Sequence, residues 1–156
     1  MKILIAYYSR TGTTKKIAES LAEKLGADVE EIKDTVNRNG IKGYLLSGRD
    51  AMKKNLTKLE ASKFSPKEYD LVIIGTPIWS WNLSVPIRTY LTDNNDQFSK
   101  VAFFCTMGGS GDEKAFAEMA EITNQKPLAT LGLKTREVVK DNFLEKLEEF
   151  VEKLNS

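Results

Sequence analysis

Three short apolar runs constrain the fold of this chain more than any other feature. They are residues 2–8 (KILIAYY), 69–75 (YDLVIIG) and 101–106 (VAFFCT). Each is rich in aliphatic and aromatic side chains and too short for a buried helix. None alternates cleanly between apolar and polar residues, so each reads as a strand covered on both faces, the condition met inside a parallel sheet. A loop and then a helical pattern follow each run. After the first, Ile17, Leu21 and Leu25 recur four apart with Ala18 and Ala22 beside them, and Gly26 is placed to close the helix. Helical stretches are expected near 84–91 and 112–121. Weaker strands are expected at 28–32 and 128–133. A terminal amphipathic helix is expected from about 141 to 154, with Phe143, Leu144, Leu147, Phe150, Val151 and Leu154 on one face. Strands alternating with helices give an α/β three-layer sandwich, a five-stranded parallel sheet with helices on both faces. The 156 residues suit one domain, 1–156, and contain no repeat, low-complexity tract or linker.

The segment 33–68 is longer than a crossover between neighbouring strands needs. Ile41, Leu45, Met52, Leu56 and Leu59 suggest a helix over 41–59, weakened by Gly43 and Gly48. Residues 32–69 carry nine basic side chains against four acidic, a net +5, and the remaining chain has 14 against 18, a net −4. The overall charge of +1 therefore hides a basic face, and it excludes a nucleic-acid binder that relies on bulk charge.

Absences narrow the chemistry. Without histidine there is no Ser-His-Asp triad, imidazole base or His-liganded metal. A single cysteine allows no internal disulfide, CxxC pair or Cys-based zinc site. An enzyme or electron carrier of this composition needs a cofactor as its reactive group. No apolar run approaches the ~20 residues of a membrane span. The N-terminal run ends at Ser9-Arg10 without a small-residue cleavage site, so it reads as a strand rather than a signal peptide, and the reduced cytoplasm is the expected setting.

In an open α/β sheet, ligands bind outside the carboxyl ends of the strands. The loop after the first strand is Ser9-Arg10-Thr11-Gly12-Thr13-Thr14: four hydroxyls and a glycine where a helix begins. Hydroxyls, unpaired N–H groups and the positive end of the helix favour a phosphate. Helix capping would need one such residue, not four. No GxxxxGK[ST] or GxGxxG is present. Cys105 lacks the arginine six residues on that a phosphatase nucleophile needs, since Gly111 stands there. Tyr7, Tyr8 and Ser9 occupy the place where a phosphoacceptor domain needs carboxylates.

A second loop, Thr76-Pro77-Ile78-Trp79-Ser80-Trp81-Asn82, holds both tryptophans of the chain, either to stack on a flat ligand or to plug the core. The third, Thr106-Met107-Gly108-Gly109-Ser110-Gly111, has the glycine content that lets backbone approach a ligand closely.

Taken together, the three loops resemble those of the flavodoxin family, and the resemblance extends over essentially the whole chain. It implies strand order 2-1-3-4-5 with FMN where the order reverses. It implies that Ser9, Thr11, Gly12, Thr13 and Thr14, with the Arg10 backbone, cradle the FMN phosphate. Pro77, Ile78, Trp79, Ser80, Trp81 and Asn82 would run along the ring and ribityl chain. Thr106, Met107, Gly108, Gly109, Ser110 and Gly111 would bond the ring's polar edge. No catalytic residue and no metal ligand is expected. The implied function is electron transfer through non-covalent FMN with other redox proteins as partners, in a monomer or weak dimer that binds neither membrane nor nucleic acid. The alternative is an NAD(P)H-dependent quinone reductase. Tyr44 and Arg49 read as ordinary helix residues that could also cover the flavin or meet a substrate. The best-known flavodoxins are strongly acidic, and this chain departs from them with a pI near 7.7.

Overall fold

The computed structural model describes residues 1–156. Its strands are β1 (Ile3–Tyr7), β2 (Asp28–Glu31), β3 (Leu71–Trp79), β4 (Asn82–Leu83), β5 (Val101–Met107) and β6 (Thr130–Lys134). Five of them form a parallel sheet in the order β2-β1-β3-β5-β6, and β4 pairs antiparallel with the end of β3. Apart from β4, this is the expected 2-1-3-4-5 order. The five parallel strands are those expected, and the antiparallel β4 is an addition whose cause is visible in β3. That strand does not stop at Gly75. It continues through Thr76 and Pro77, paired with Cys105 and Thr106 of β5, and turns back on itself at Trp79.

Consecutive residues of a strand point to opposite faces, and here both faces are covered. Leu4, Val72, Ile74 and Phe103 meet α3 (Val85–Asp93) and α4 (Asp112–Thr123) through Ile87, Leu91, Ala115 and Met119. Ile5, Ile73, Ala102 and Phe104 meet α1 (Thr13–Leu25) and α6 (Leu144–Leu154) through Ile17, Leu21, Leu147 and Phe150. All four strand residues on each face are fully buried, which is why these runs show no polar alternation. Gly75 keeps the sheet close to Phe104, because a Cβ there would lie 2.0 Å from the ring.

Two helices differ from expectation. The terminal helix begins at Leu144, not near 141. A short helix, α5 (Thr135–Val139), precedes it, and Asp141 adopts φ 58° in the break. Leu144 is exposed instead of sharing the buried face. The helix expected over 41–59 spans Gly40–Met52 (α2). Its inward residues are Gly43, Ser47 and Ala51, while Ile41, Leu45, Met52 and Leu56 face outward. The glycines that weaken this helix in isolation stand where a side chain would clash. A Cβ on Gly43 would lie 2.0 Å from the Arg38 carbonyl carbon, and one on Gly48 would lie 2.9 Å from Ser80 Oγ.

Candidate functional site

The carboxyl ends of β1, β3 and β5 bring the three loops to one edge of the sheet. In the first, Ser9 Oγ accepts a hydrogen bond from the Gly12 N–H at 3.0 Å, folding the loop over the start of α1. Gly12 stands at the N-cap with φ 96°, a conformation that favours glycine. No side chain caps this helix and no carboxylate lies in its first turn. Its amino-terminal N–H groups and positive dipole end are therefore available to an anion. The neighbouring α4 differs: Asp112 and Glu113 fill its first turn. Of these two helix starts, that of α1 is the one kept clear of negative charge.

Thr14 is buried, and its hydroxyl lies 2.8 Å from that of Thr106, joining the first loop to the third. Between them opens a cleft of about 290 Å³. Ser9, Arg10, Thr11, Thr13 and Thr14 form one end. Pro77, Ile78 and Trp79 form a wall. Thr106, Met107 and Gly108 form another.

Other residues expected at the site stand elsewhere. Ser80 and Trp81 make the tight turn between β3 and β4, with φ of 48° and 62°, and Trp81 is 64% exposed. Left-handed backbone at two non-glycine residues costs roughly 1–3 kcal/mol each. Asn82 helps to hold this turn by donating from Nδ2 to the Ser80 carbonyl at 2.6 Å, while its Oδ1 accepts from Lys114 Nζ at 3.1 Å. Gly109 and Ser110 are exposed beyond the cleft wall. Gly111 caps α4 with φ 113°, and a Cβ there would lie 2.9 Å from Ile78 Cγ2 and 3.1 Å from Trp81 Cα. It is thus the point at which the second and third loops touch.

Two residues join the cleft that the loop motifs do not include. Thr135 follows β6 and donates through Oγ1 to the Met107 carbonyl at 3.2 Å. Its place at a strand's carboxyl end was the available signal. Tyr44 reaches the cleft from α2, and the Arg10 guanidinium lies 5.5 Å from its ring. Helical spacing alone could not orient it.

Trp79 is held rather than loose. Its ring meets Tyr8 edge-on at 5.5 Å, and the Arg38 guanidinium lies 5.4 Å from it. Arg38 is itself buried between Asp34, at 2.6 Å, and Asp50, at 3.1 Å. The extra segment after β2 therefore supplies a buried ionic brace behind the cleft wall.

No Asp or Glu side chain lines the cleft. Burial, reinforced by Glu31 and Glu19, pushes the Tyr7 phenol up to about 12. Burial, with Asp34, also raises Tyr8. Both stay protonated at neutral pH. Cys105 is fully buried, and burial pushes its thiol well above the usual range, so it stays a neutral thiol rather than a nucleophile. No cluster of three or more Cys, Asp or Glu side chains is placed to hold a metal. No helix is long and apolar enough to cross a membrane.

A family model described as Flavodoxin matches residues 2–154. The chain belongs to the flavodoxin family. Among solved structures, this flavodoxin is similar to a Lactobacillus acidophilus flavoprotein in complex with FMN. The two are 27% identical over 89% of this chain and 97% of that one, with a TM-score of 0.73. The apo form of the L. acidophilus flavoprotein is 25% identical over 89% and 95%, with a TM-score of 0.66. A Bacteroides uniformis chain, 24% identical over 89% and 96% with a TM-score of 0.71, shares the fold. No curated protein matches the sequence significantly.

Proposed function

We propose that this flavodoxin binds FMN non-covalently in the cleft and carries electrons between redox proteins. The observation that carries the reading is the start of α1, uncapped and free of carboxylates at the end of a cleft shared by three loops. That end suits a phosphate dianion, held by Ser9, Thr11, Thr13 and Thr14 hydroxyls and by backbone N–H groups around Gly12. Pro77, Ile78 and Trp79 offer an apolar wall to the flat ring, and the exposed backbone at Gly108 offers polar groups to its edge. The L. acidophilus relative in complex with FMN supports the choice of ligand. FMN supplies one- and two-electron redox chemistry that the side chains of this chain lack. What the protein contributes is binding, orientation and partial exclusion of water. No Asp or Glu lines the cleft to relay protons to a substrate, which favours a carrier over an enzyme.

The test is FMN uptake by the purified protein, followed by anaerobic redox titration and steady-state NAD(P)H oxidation with a quinone. Flavin fluorescence should be quenched on binding, and riboflavin, which lacks the phosphate, should bind far more weakly. Failure to take up FMN would overturn the reading. NAD(P)H turnover well above that of free FMN would replace the carrier with a reductase.

A further inference from the structure

Helix α2 turns its small residues inward and its large ones to solvent. Ile41, Tyr44, Leu45 and Met52 are 81%, 64%, 64% and 65% exposed, and Leu56 just beyond the helix is 55% exposed. Positions 41, 44, 45, 48 and 52 share one helical face. A contiguous apolar face of this kind marks an interaction site in a folded protein. Gly48 interrupts it and leaves a hollow of about 350 Å³ walled by Leu45, Met52, Ile78 and Trp79, with Arg49 at its edge.

The charge around this face is mostly positive, with Arg49 3.8 Å from Asp50. Residues 40–58 contain Lys42, Arg49, Lys53, Lys54 and Lys58, and their single carboxylate, Asp50, is engaged by the buried Arg38. Lys54 pairs with Glu118 of α4 at 3.5 Å, whereas Lys42, Lys53 and Lys58 form no ion pair. Tyr44 lies on both the hollow and the neighbouring cleft, so the face adjoins the proposed flavin site. From Ile41 to Met52 it extends ~16 Å at the helical rise, more than one small ligand covers.

We propose that the outer face of α2 docks an acidic redox protein, which seats an apolar side chain in the hollow at Gly48 and exchanges electrons with the flavin beside Tyr44. The proposal rests on the FMN reading. The basic rim selects a partner of negative surface charge and speeds encounter with it, and the apolar centre with its hollow supplies the anchor. One electron leaves the partner's reduced one-electron centre, which is oxidised, and enters the flavin, which is reduced. No bond is made or broken, and the reverse transfer follows the same route.

The test uses the FMN-loaded protein. Its reduced form is oxidised by ferricyanide, an anion, and by hexaammineruthenium(III), a cation, at increasing salt. An acidic [2Fe–2S] ferredoxin, reduced with dithionite and freed of excess reductant, serves as the protein donor to the oxidised form. The ferricyanide and ferredoxin rates should fall about tenfold between low and high salt as the local field is screened, while the ruthenium rate should rise or stay level. Lys42→Glu with Lys53→Glu should remove the salt dependence and lower the low-salt ferredoxin rate about tenfold, with FMN affinity unchanged. Leu45→Gln, which removes the apolar anchor without adding charge, should lower the ferredoxin rate and leave the ferricyanide rate unchanged. Salt-independent rates, a reversed sign or unaffected variants would overturn the proposal. So would a dimer in sedimentation that Leu45→Gln dissociates, since the face would then belong to a second copy. Absence of bound FMN at the outset would instead refute the underlying functional reading.

Discussion

The hydroxyl oxygens of Thr14 and Thr106 lie 2.8 Å apart in the protein interior, tying the first turn of α1 to the end of β5. These residues are 92 positions apart in the chain, and their contact joins the Ser9–Thr14 end of the cleft to the wall formed by Thr106, Met107 and Gly108. Thr106→Val preserves shape and leaves the Thr14 hydroxyl without this partner. The expected cost is about 1–3 kcal/mol in urea unfolding, accompanied by weaker FMN binding. The double variant with Thr14→Val should cost less than the sum of the singles, because neither hydroxyl is then stranded.

Gly12 has φ 96° and nothing within 4 Å of where a Cβ would stand. Gly12→Ala therefore reports backbone strain alone, roughly 1–2 kcal/mol. If the loop relaxes to escape it, the N–H groups at the start of α1 shift. Calorimetric titration should then show FMN losing affinity while riboflavin, with no phosphate to hold, binds as before.

Gly43 and Gly48 should respond differently to alanine. The Cβ at 43 would meet Arg38 backbone at 2.0 Å, which cannot yield without remaking the turn that leads into α2. The Cβ at 48 would meet the rotatable Ser80 Oγ at 2.9 Å. Gly43→Ala should lower stability by about 3 kcal/mol or more and Gly48→Ala by under about 1 kcal/mol, as read by thermal unfolding.

The brace beneath Trp79 depends on Arg38. Arg38→Met leaves Asp34 and Asp50 without their shared cation in a buried setting, an expected loss of about 3–5 kcal/mol. Trp79 also loses the guanidinium 5.4 Å from its ring, so its fluorescence maximum should shift. Adding Asp34→Asn should recover part of the stability.

Glu137 caps α5. Lys146 bonds its side chain and the Lys134 N–H donates to it, and together they hold its carboxyl below the usual range. A depressed carboxyl contributes stability that is fully present above its unfolded-state value near 4.5 and is lost as the pH falls through the lower folded-state value. Glu137→Gln should therefore destabilise the protein at pH 7 and flatten the decline of stability in acid, measured by unfolding between pH 7 and pH 3.

Most of the sheet was legible because burial on both faces leaves a mark in the order of residues. The runs at 2–8, 69–75 and 101–106 lack polar alternation because both sets of side chains meet helices. The start of α1 was legible because the apolar helical spacing begins just after Gly12. The reach of β3 to Trp79 was not, because it arises from pairing with β5 and from the return through β4, both nonlocal contacts. The orientation of α2 ran against its own pattern. Its apolar positions marked a helix, yet the small residues Gly43, Ser47 and Ala51 took the inner side and left the large ones outward.

The sequence by itself determined the α/β class, the parallel strands and the position of the hydroxyl-rich helix start, since each follows from local residue order and from burial periodicity. The tertiary structure alone decided which residues share the cleft. Tyr44 and Thr135 arrive from distant segments, while Trp81, Asn82 and Gly109 turn away from it. Side-chain direction at a loop or helix surface is settled by packing between elements, and no stretch of sequence contains that information on its own.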